Sequence, residues 1–527
     1  MIERVVENWL ISATERQYQI PFCQVLASEG ETVIYISPHG PREQGKDVIT
    51  IGADKFPRAY QLKAGKINLK AWQEIKGEID ELVELPVAHP SIRSRKPHRA
   101  YLVTNGPIAD TVLDRIESAN KVWRKHNPNP LRPIQQSELI ARFVKAHGSF
   151  LPREATEFSS FLGLIGKAGA GQFDKQGLSS FLESVLRLRT SKHVRPLDVT
   201  RSISSAVLLT SYVVQGCERQ ENHWATFEAW IVAASYILAA ASKQGVPVKW
   251  WEKSFGLCEV AAVRALESLC RECAANKTLF TMGDPFTDGS LYAARITILA
   301  GTLSALSLYH HLRSEEWGEE GFVQDFLHSY LGRMQVWGES AAPYVTAAAL
   351  NLERHGAHSL SEDLIGRLIE TILVYNGKKG RGLPNPYYEP EDAVRLASGM
   401  ELNNPEIFSG LSYALEPLIE FLARRSRRRM LAHFWERITR VKFAFFLPDE
   451  DWEWFCWKAR KGSLDQRAPN TPQSWANLIE IAENGPARLP KLLMDRPSFA
   501  ILFCLVFPHR FGVGLLRLLD HAIRRTS

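Results

Sequence analysis

Eight residues, His126–Pro133 (HNPNPLRP), hold three prolines and two asparagines, a composition that breaks a helix and reads as a linker. They separate two stretches of different periodicity. Before them, short runs of β-branched and aromatic residues alternate with segments of helical spacing. After them, helix-length apolar patterns dominate and strand signals are few. The change predicts a mixed α+β part over residues 1–128 and a large all-α part over 131–527. A chain of 527 residues is long enough for each part to bury its own core.

Within the first part the order of elements is legible. Ile2, Val5, Val6, Trp9 and Leu10 have helical spacing, and a short second helix is expected from Pro21 to Ser28, closed by Gly30. Glu31–Ser37 (ETVIYIS), Asp47–Ile51 (DVITI) and Arg58–Lys63 (RAYQLK) read as three strands, with Gly52–Pro57 turning the last two into a hairpin. Asn68 can cap a helix whose Leu69, Trp72, Ile75, Ile79, Leu82 and Val83 form one stripe. Ala100–Val103 is a fourth strand, and Ile108–Lys125 a further helix. The expected order is αβββαβα.

Two triplets carry the chemistry: Gly45-Lys46-Asp47, opening the second strand, and Gln61-Leu62-Lys63, closing the third. Residues two apart on a strand share a face, so Gln61 and Lys63 point the same way, and the hairpin can bring Asp47 beside them. Phosphodiester hydrolysis needs a hard cation held by oxygens. Asp47 offers an anionic oxygen and the Gln61 carbonyl a neutral one, while the Lys63 ammonium can orient water or stabilise developing charge.

The arrangement resembles the PD-(D/E)XK nuclease superfamily, and more closely its Mrr-like restriction-endonuclease branch, in which Q-x-K follows G-x-D. The resemblance covers about a quarter of the chain. It implies a restriction-endonuclease-like αβββαβ core, with catalytic residues Asp47, Gln61 and Lys63 and a Mg²⁺ or Mn²⁺ ion held by Asp47 and Gln61. It also implies a polar group from the first helical segment: Tyr18-Gln19 matches the aromatic-Glu/Gln motif there, and Glu7 is the alternative donor of a carboxylate. A polar loop containing proline, Pro38–Gln44, departs from the usual pattern before Asp47. The implied substrate is DNA and the implied setting bacterial defence or restriction. The helical part would then sense a trigger, bind a protein partner or mediate homo-oligomerisation. The competing expectation is a non-catalytic scaffold, for nucleic acid or protein, built on a degenerate nuclease fold.

Several other patterns carry weaker expectations. From Arg424 to Ser527 there are 19 Lys+Arg against 10 Asp+Glu, a surplus of nine in a chain whose total is +6. The run Arg424–Arg429 could meet phosphates, and Trp452, Trp454, Phe455 and Trp457 could stack bases; a basic run can equally be a solvated face, and Trp and Phe at such spacing more often pack a core. Gly163–Gly171 lacks the G-K-[ST] ending of a phosphate loop, and Cys270-x-x-Cys273 has no second ligand pair for zinc. His89 and His98 flank the loop before the fourth strand. Seven cysteines in 527 residues make no disulfide framework, and Met1–Ser12 holds no apolar leader. No uncharged apolar run reaches eighteen residues; Phe499–Phe507 stops at Pro508. A cytoplasmic protein without a membrane partner is expected.

Overall fold

The computed structural model describes residues 10–11, 13–37, 45–52, 54–87, 97–125, 127–150, 155–189, 196–276, 289–377, 382–390, 392–393, 409–458, 464–467, 474–485 and 488–526. Glu7, the helix expected from Ile2, the loop Pro38–Gln44 and His89 lie outside them. The chain divides into two compact units, Met1–Ser159 and Ser160–Ser527.

The first unit is built on a five-stranded mixed sheet in the order β1-β2-β3-β4-β5. The strands are β1 (Thr32–Ile36), β2 (Val48–Ile51), β3 (Pro57–Lys63), β4 (Arg99–Thr104) and β5 (Arg132–Ile134). β1, β2 and β3 pair antiparallel through tight connections, whereas β3, β4 and β5 run parallel. Parallel neighbours need crossovers, and helices supply them. α2 (Leu69–Glu84) returns the chain from β3 to β4, and α3 (Asp110–Trp123) from β4 to β5. Their apolar stripes cover one face of the sheet, where Ile49, Ala59, Ala100 and Leu102 meet Trp72, Ile79, Leu82, Val112 and Ile116. On the alternating positions, Tyr60 stacks on Tyr101 at 4.7 Å and meets the edge of Phe22 from α1 (Glu15–Ser28). α4 (Gln136–Phe150) joins α1 through Arg142, which pairs with Glu29.

Two features differ from the sequence reading. β5 lies inside the stretch expected to be a linker, so the unit runs on to Ser159 rather than ending near 128. Pro133 is tolerated there because β5 is the sheet's edge and needs no amide on its outer side. α1 begins at Glu15, six residues before Pro21, which sits inside the helix. The burial of Tyr18, Phe22, Val25 and Leu26 holds the helix across that break.

The last turn of α2 presents carbonyls that the helix itself cannot satisfy. The Lys46 ammonium donates to Glu81 O at 3.3 Å, and the His98 ring bonds Leu82 O at 2.7 Å. Asn127 Nδ2 donates to Val83 O and to His98 O. Burial pulls the His98 ring down to about 4, its bond to Leu82 opposing this, so it stays neutral in the fold. An unfolded chain would take up that proton below about pH 6.5. The stabilisation is therefore complete above pH 6.5 and is lost as pH falls towards 4, by up to about 3 kcal/mol. Hydrogen exchange of α2 and β4 amides at pH 7 and 4.5 should show this loss, and His98→Gln should shrink the difference. Equal pH sensitivity in the variant would refute it.

The second unit is dominated by helices. Its centre is His223–Gln244, buried along nearly its whole length, capped by Asn222 and ended by Gly245 at φ +61°. A helix packed on all sides needs no polar stripe, which explains its even run of Ala, Ile and Val. It is long and apolar enough to cross a membrane, but 83% of that window is buried inside the unit. Gly301, in Gly289–Leu312, lets a neighbouring helix close in: a Cβ there would lie 2.4 Å from Tyr344 Cα. One expectation is corrected. A small sheet, β6 (Leu411–Ser412), β7 (Lys442–Phe446) and β8 (Leu464–Arg467), interrupts the helices. β7 is the short aromatic run KFAFF, whose Phe443 and Phe446 are buried.

Candidate active site

β3 ends at Lys63, and its alternation places Gln61 and Lys63 on the face that α2 covers. Both side chains reach one carboxylate there. Gln61 Nε2 donates to Glu78 Oε2 at 3.2 Å, and Lys63 Nζ lies 2.6 Å from the same oxygen. The other end of the Gln61 amide, Oε1, is buried without a hydrogen-bond partner. An acceptor left bare in a buried place costs about 1–3 kcal/mol unless something fills the vacancy.

The Gly45–Asp47 turn comes to the same helix. Gly45 has φ +66°, and a Cβ on it would stand 2.1 Å from Glu78 O and 3.1 Å from Leu82 N. Only glycine allows this contact. Lys46 is drawn into the end of α2, and burial lowers its ammonium to about 8. Asp47 is buried at the entrance to β2. Its amide donates to Tyr60 O at 2.9 Å, and its Oδ2 accepts the Leu62 amide at 2.6 Å. The carboxylate is thus fixed beside the residue between Gln61 and Lys63. Both triplets meet at one end of the sheet.

The first helix contributes differently from expectation. Gln19 Nε2 lies 3.4 Å from Ser37 O and 3.3 Å from Asp47 O, so its amide bridges the backbones of β1 and β2. Glu7 falls outside the described residues. Among the described residues a further polar side chain on Gln61 and Lys63 is Glu78, which nothing in the sequence marks. Tyr18 donates its hydroxyl to Lys63 O at 2.7 Å; burial, and then the charge of Glu15, raises its pKa well above the usual range. Glu15 Oε1 accepts the Ala64 amide at 3.2 Å. Asn105 and Thr104 fix the loop beyond. Asn105 Oδ1 accepts from Gly65 N, its Nδ2 donates to Leu10 O and Ala13 O, and Thr104 Oγ1 donates to Gly65 O.

The donor set can be tested against the implied ion. Among the described residues no three His, Cys, Asp or Glu side chains group as a metal cluster. The site offers instead the Asp47 carboxylate and the bare Gln61 oxygen. Both are hard oxygen donors, the type of ligand Mg²⁺ takes.

Of the arginine run Arg424–Arg429, Arg427, Arg428 and Arg429 are exposed, and Arg424 and Arg425 are drawn inward. The side chains of Arg424 and Arg425 are buried against Asp520 at 2.7 and 2.8 Å; Arg425 also pairs with Glu353, and Arg427 with Glu362. Trp452, Trp454, Phe455 and Trp457 are buried in the core and offer no stacking platform. Cys270 and Cys273 are buried in one helix, and burial pushes their thiols up to about 12 and about 11. Gly163–Gly171 spans the end of a helix and a turn at Gly171, with Lys167 paired to Asp174. His98 is a structural histidine.

Comparison of the chain with protein-family models, with curated proteins and with solved structures finds no match. Fold and site define a chain of two units. One carries a polar cluster at the end of a five-stranded mixed sheet, and the other is mainly helical.

Proposed function

We propose that the N-terminal unit is a metal-dependent nuclease of the restriction-endonuclease type, cutting DNA. One observation carries the reading. The Gly45–Asp47 turn and the Gln61/Lys63 pair meet on α2 at Glu78, and the Gln61 oxygen there has no donor. The succession of α1, β1, β2, β3, α2 and β4 along the chain supports this reading.

Asp47 and Gln61 would hold the ion, which when bound polarises the phosphate and acidifies water. Asp47 supplies the anionic oxygen and is kept in place by the Leu62 amide. Lys63, whose side chain is 15% exposed beside α2, would bring a positive charge to the attacked phosphate, where charge develops in the transition state. Tyr18 and Asn105 keep the Lys63–Gly65 backbone from shifting under it. The helical unit would serve as sensor, partner-binding or oligomerisation module of a defence system, and that assignment rests on the architecture alone.

A scaffold without catalysis is the competing reading. It is favoured by Asp47 Oδ2 already accepting a backbone amide and Lys63 already pairing with Glu78. The two readings part at Lys63→Ala. The nuclease reading expects turnover to fall about 100-fold or more while DNA binding stays near wild type, as for a group acting in the transition state. Gln61→Glu should keep activity with altered metal preference. Unchanged cleavage by Lys63→Ala would favour the scaffold.

A further inference from the structure

We infer that Glu78 is a second carboxylate ligand of the metal site, and that it holds Lys63 in reserve until the ion arrives. The inference rests on the nuclease reading above. Glu78 Oε2 takes both the Gln61 amide and the Lys63 ammonium, so two of the site's polar groups share one oxygen. Its backbone is fixed: Gly45 presses on Glu78 O, Asn68 caps the helix start, and Lys46, His98 and Asn127 close its end. Its side chain is 51% exposed and can rotate about that fixed point.

Charge says which way it moves. By formal charge, Asp47 and Glu78 contribute one negative charge each and Lys63 one positive charge, a sum of a single negative charge for the three residues. A divalent ion turns this into a single positive charge, the complement of one phosphodiester. The Glu78 carboxylate then has a stronger partner than Lys63. Its rotation onto the ion breaks the ion pair and frees the ammonium for the phosphate. Gln61 stands beside Lys63 on the same face, its Nε2 on Glu78 and its Oε1 without a hydrogen-bond partner. The resting pair keeps a half-buried lysine neutralised and leaves the site closed to phosphate when no metal is present.

The test needs no cleavage. Mn²⁺ is titrated calorimetrically into the full chain without nucleic acid, using wild type, Glu78→Gln, Asp47→Asn and, as control on the same helix, Glu74→Gln. Glu78→Gln should weaken Mn²⁺ about tenfold or more, Asp47→Asn at least as much, and Glu74→Gln not at all. Acylation of Lys63, read by mass spectrometry, should rise with Mn²⁺ in wild type and be high without it in Glu78→Gln. If Glu78→Gln binds Mn²⁺ like wild type while Asp47→Asn does not, the role of Glu78 is overturned and the nuclease reading stands. If wild type takes up no Mn²⁺, or Asp47→Asn binds it equally well, the nuclease reading falls and this inference with it.

Discussion

Gly45→Ala is expected to destabilise the N-terminal unit by about 3 kcal/mol or more, the sum of backbone strain and overpacking. Gly45 sits at φ +66°, in the left-handed region that a Cβ disfavours. The new methyl would stand 2.1 Å from Glu78 O, and that neighbour is helix backbone, not a side chain that can swing away. Either α2 moves off the sheet or the turn does. Both displace Glu78 from Asp47, so any metal-dependent activity should fall with stability. Hydrogen exchange in α2 and β2 is the measurement, because a chain of two units does not unfold in one step. Exchange equal to wild type would show that the turn does not depend on glycine.

In the helical unit the largest effect is expected at Arg510. The side chain is buried, with its guanidinium 3.4 Å over the Phe446 ring. Nε donates to Trp454 O at 3.0 Å, and Nη2 to Glu453 O at 3.1 Å and Cys456 O at 2.9 Å. Burial lowers its pKa to about 10, still charged at neutral pH. Residues 451–455 form a short 3₁₀ turn in which Glu453 O also accepts the Cys456 amide at 3.2 Å, whereas the turn's own amides do not reach Trp454 O or Cys456 O. Arg510→Met keeps the volume and removes three hydrogen bonds, at about 1–3 kcal/mol for each carbonyl left bare. A loss of about 3 kcal/mol or more in thermal or urea unfolding of the helical unit is expected. Arg510→Lys should recover only part of it, because an ammonium cannot span three acceptors in one plane. Wild-type stability in Arg510→Met would contradict this account of the turn.

What the sequence made legible was local. Alternation marked β1 to β4, and the Asn68 cap with its apolar stripe marked α2. Gly45, Asp47, Gln61 and Lys63 stood out because both triplets lie on neighbouring strands of one hairpin. What stayed hidden depended on distant parts of the chain. Glu78 is one of five acidic residues in α2, and only the register of that helix over β3 selects it. β5 looked like a linker because the pairing that makes Arg132–Ile134 a strand comes from Tyr101–Val103. Arg425 looked free because its carboxylates, Glu353 and Asp520, lie 72 and 95 residues away in sequence. Composition likewise said nothing about whether Trp452–Trp457 faces water or core.

The proposal that the N-terminal unit is a metal-dependent nuclease is tested most directly by incubating supercoiled plasmid with the full-length protein. Mg²⁺ or Mn²⁺ is supplied, with chelator and Asp47→Ala as the paired controls. The account predicts nicked or linear DNA with wild type and metal. It predicts intact plasmid with chelator or with Asp47→Ala, whose hard ion has lost its main anionic oxygen. Cleavage by Asp47→Ala at the wild-type rate, or no metal-dependent cleavage by folded wild-type protein, would contradict it.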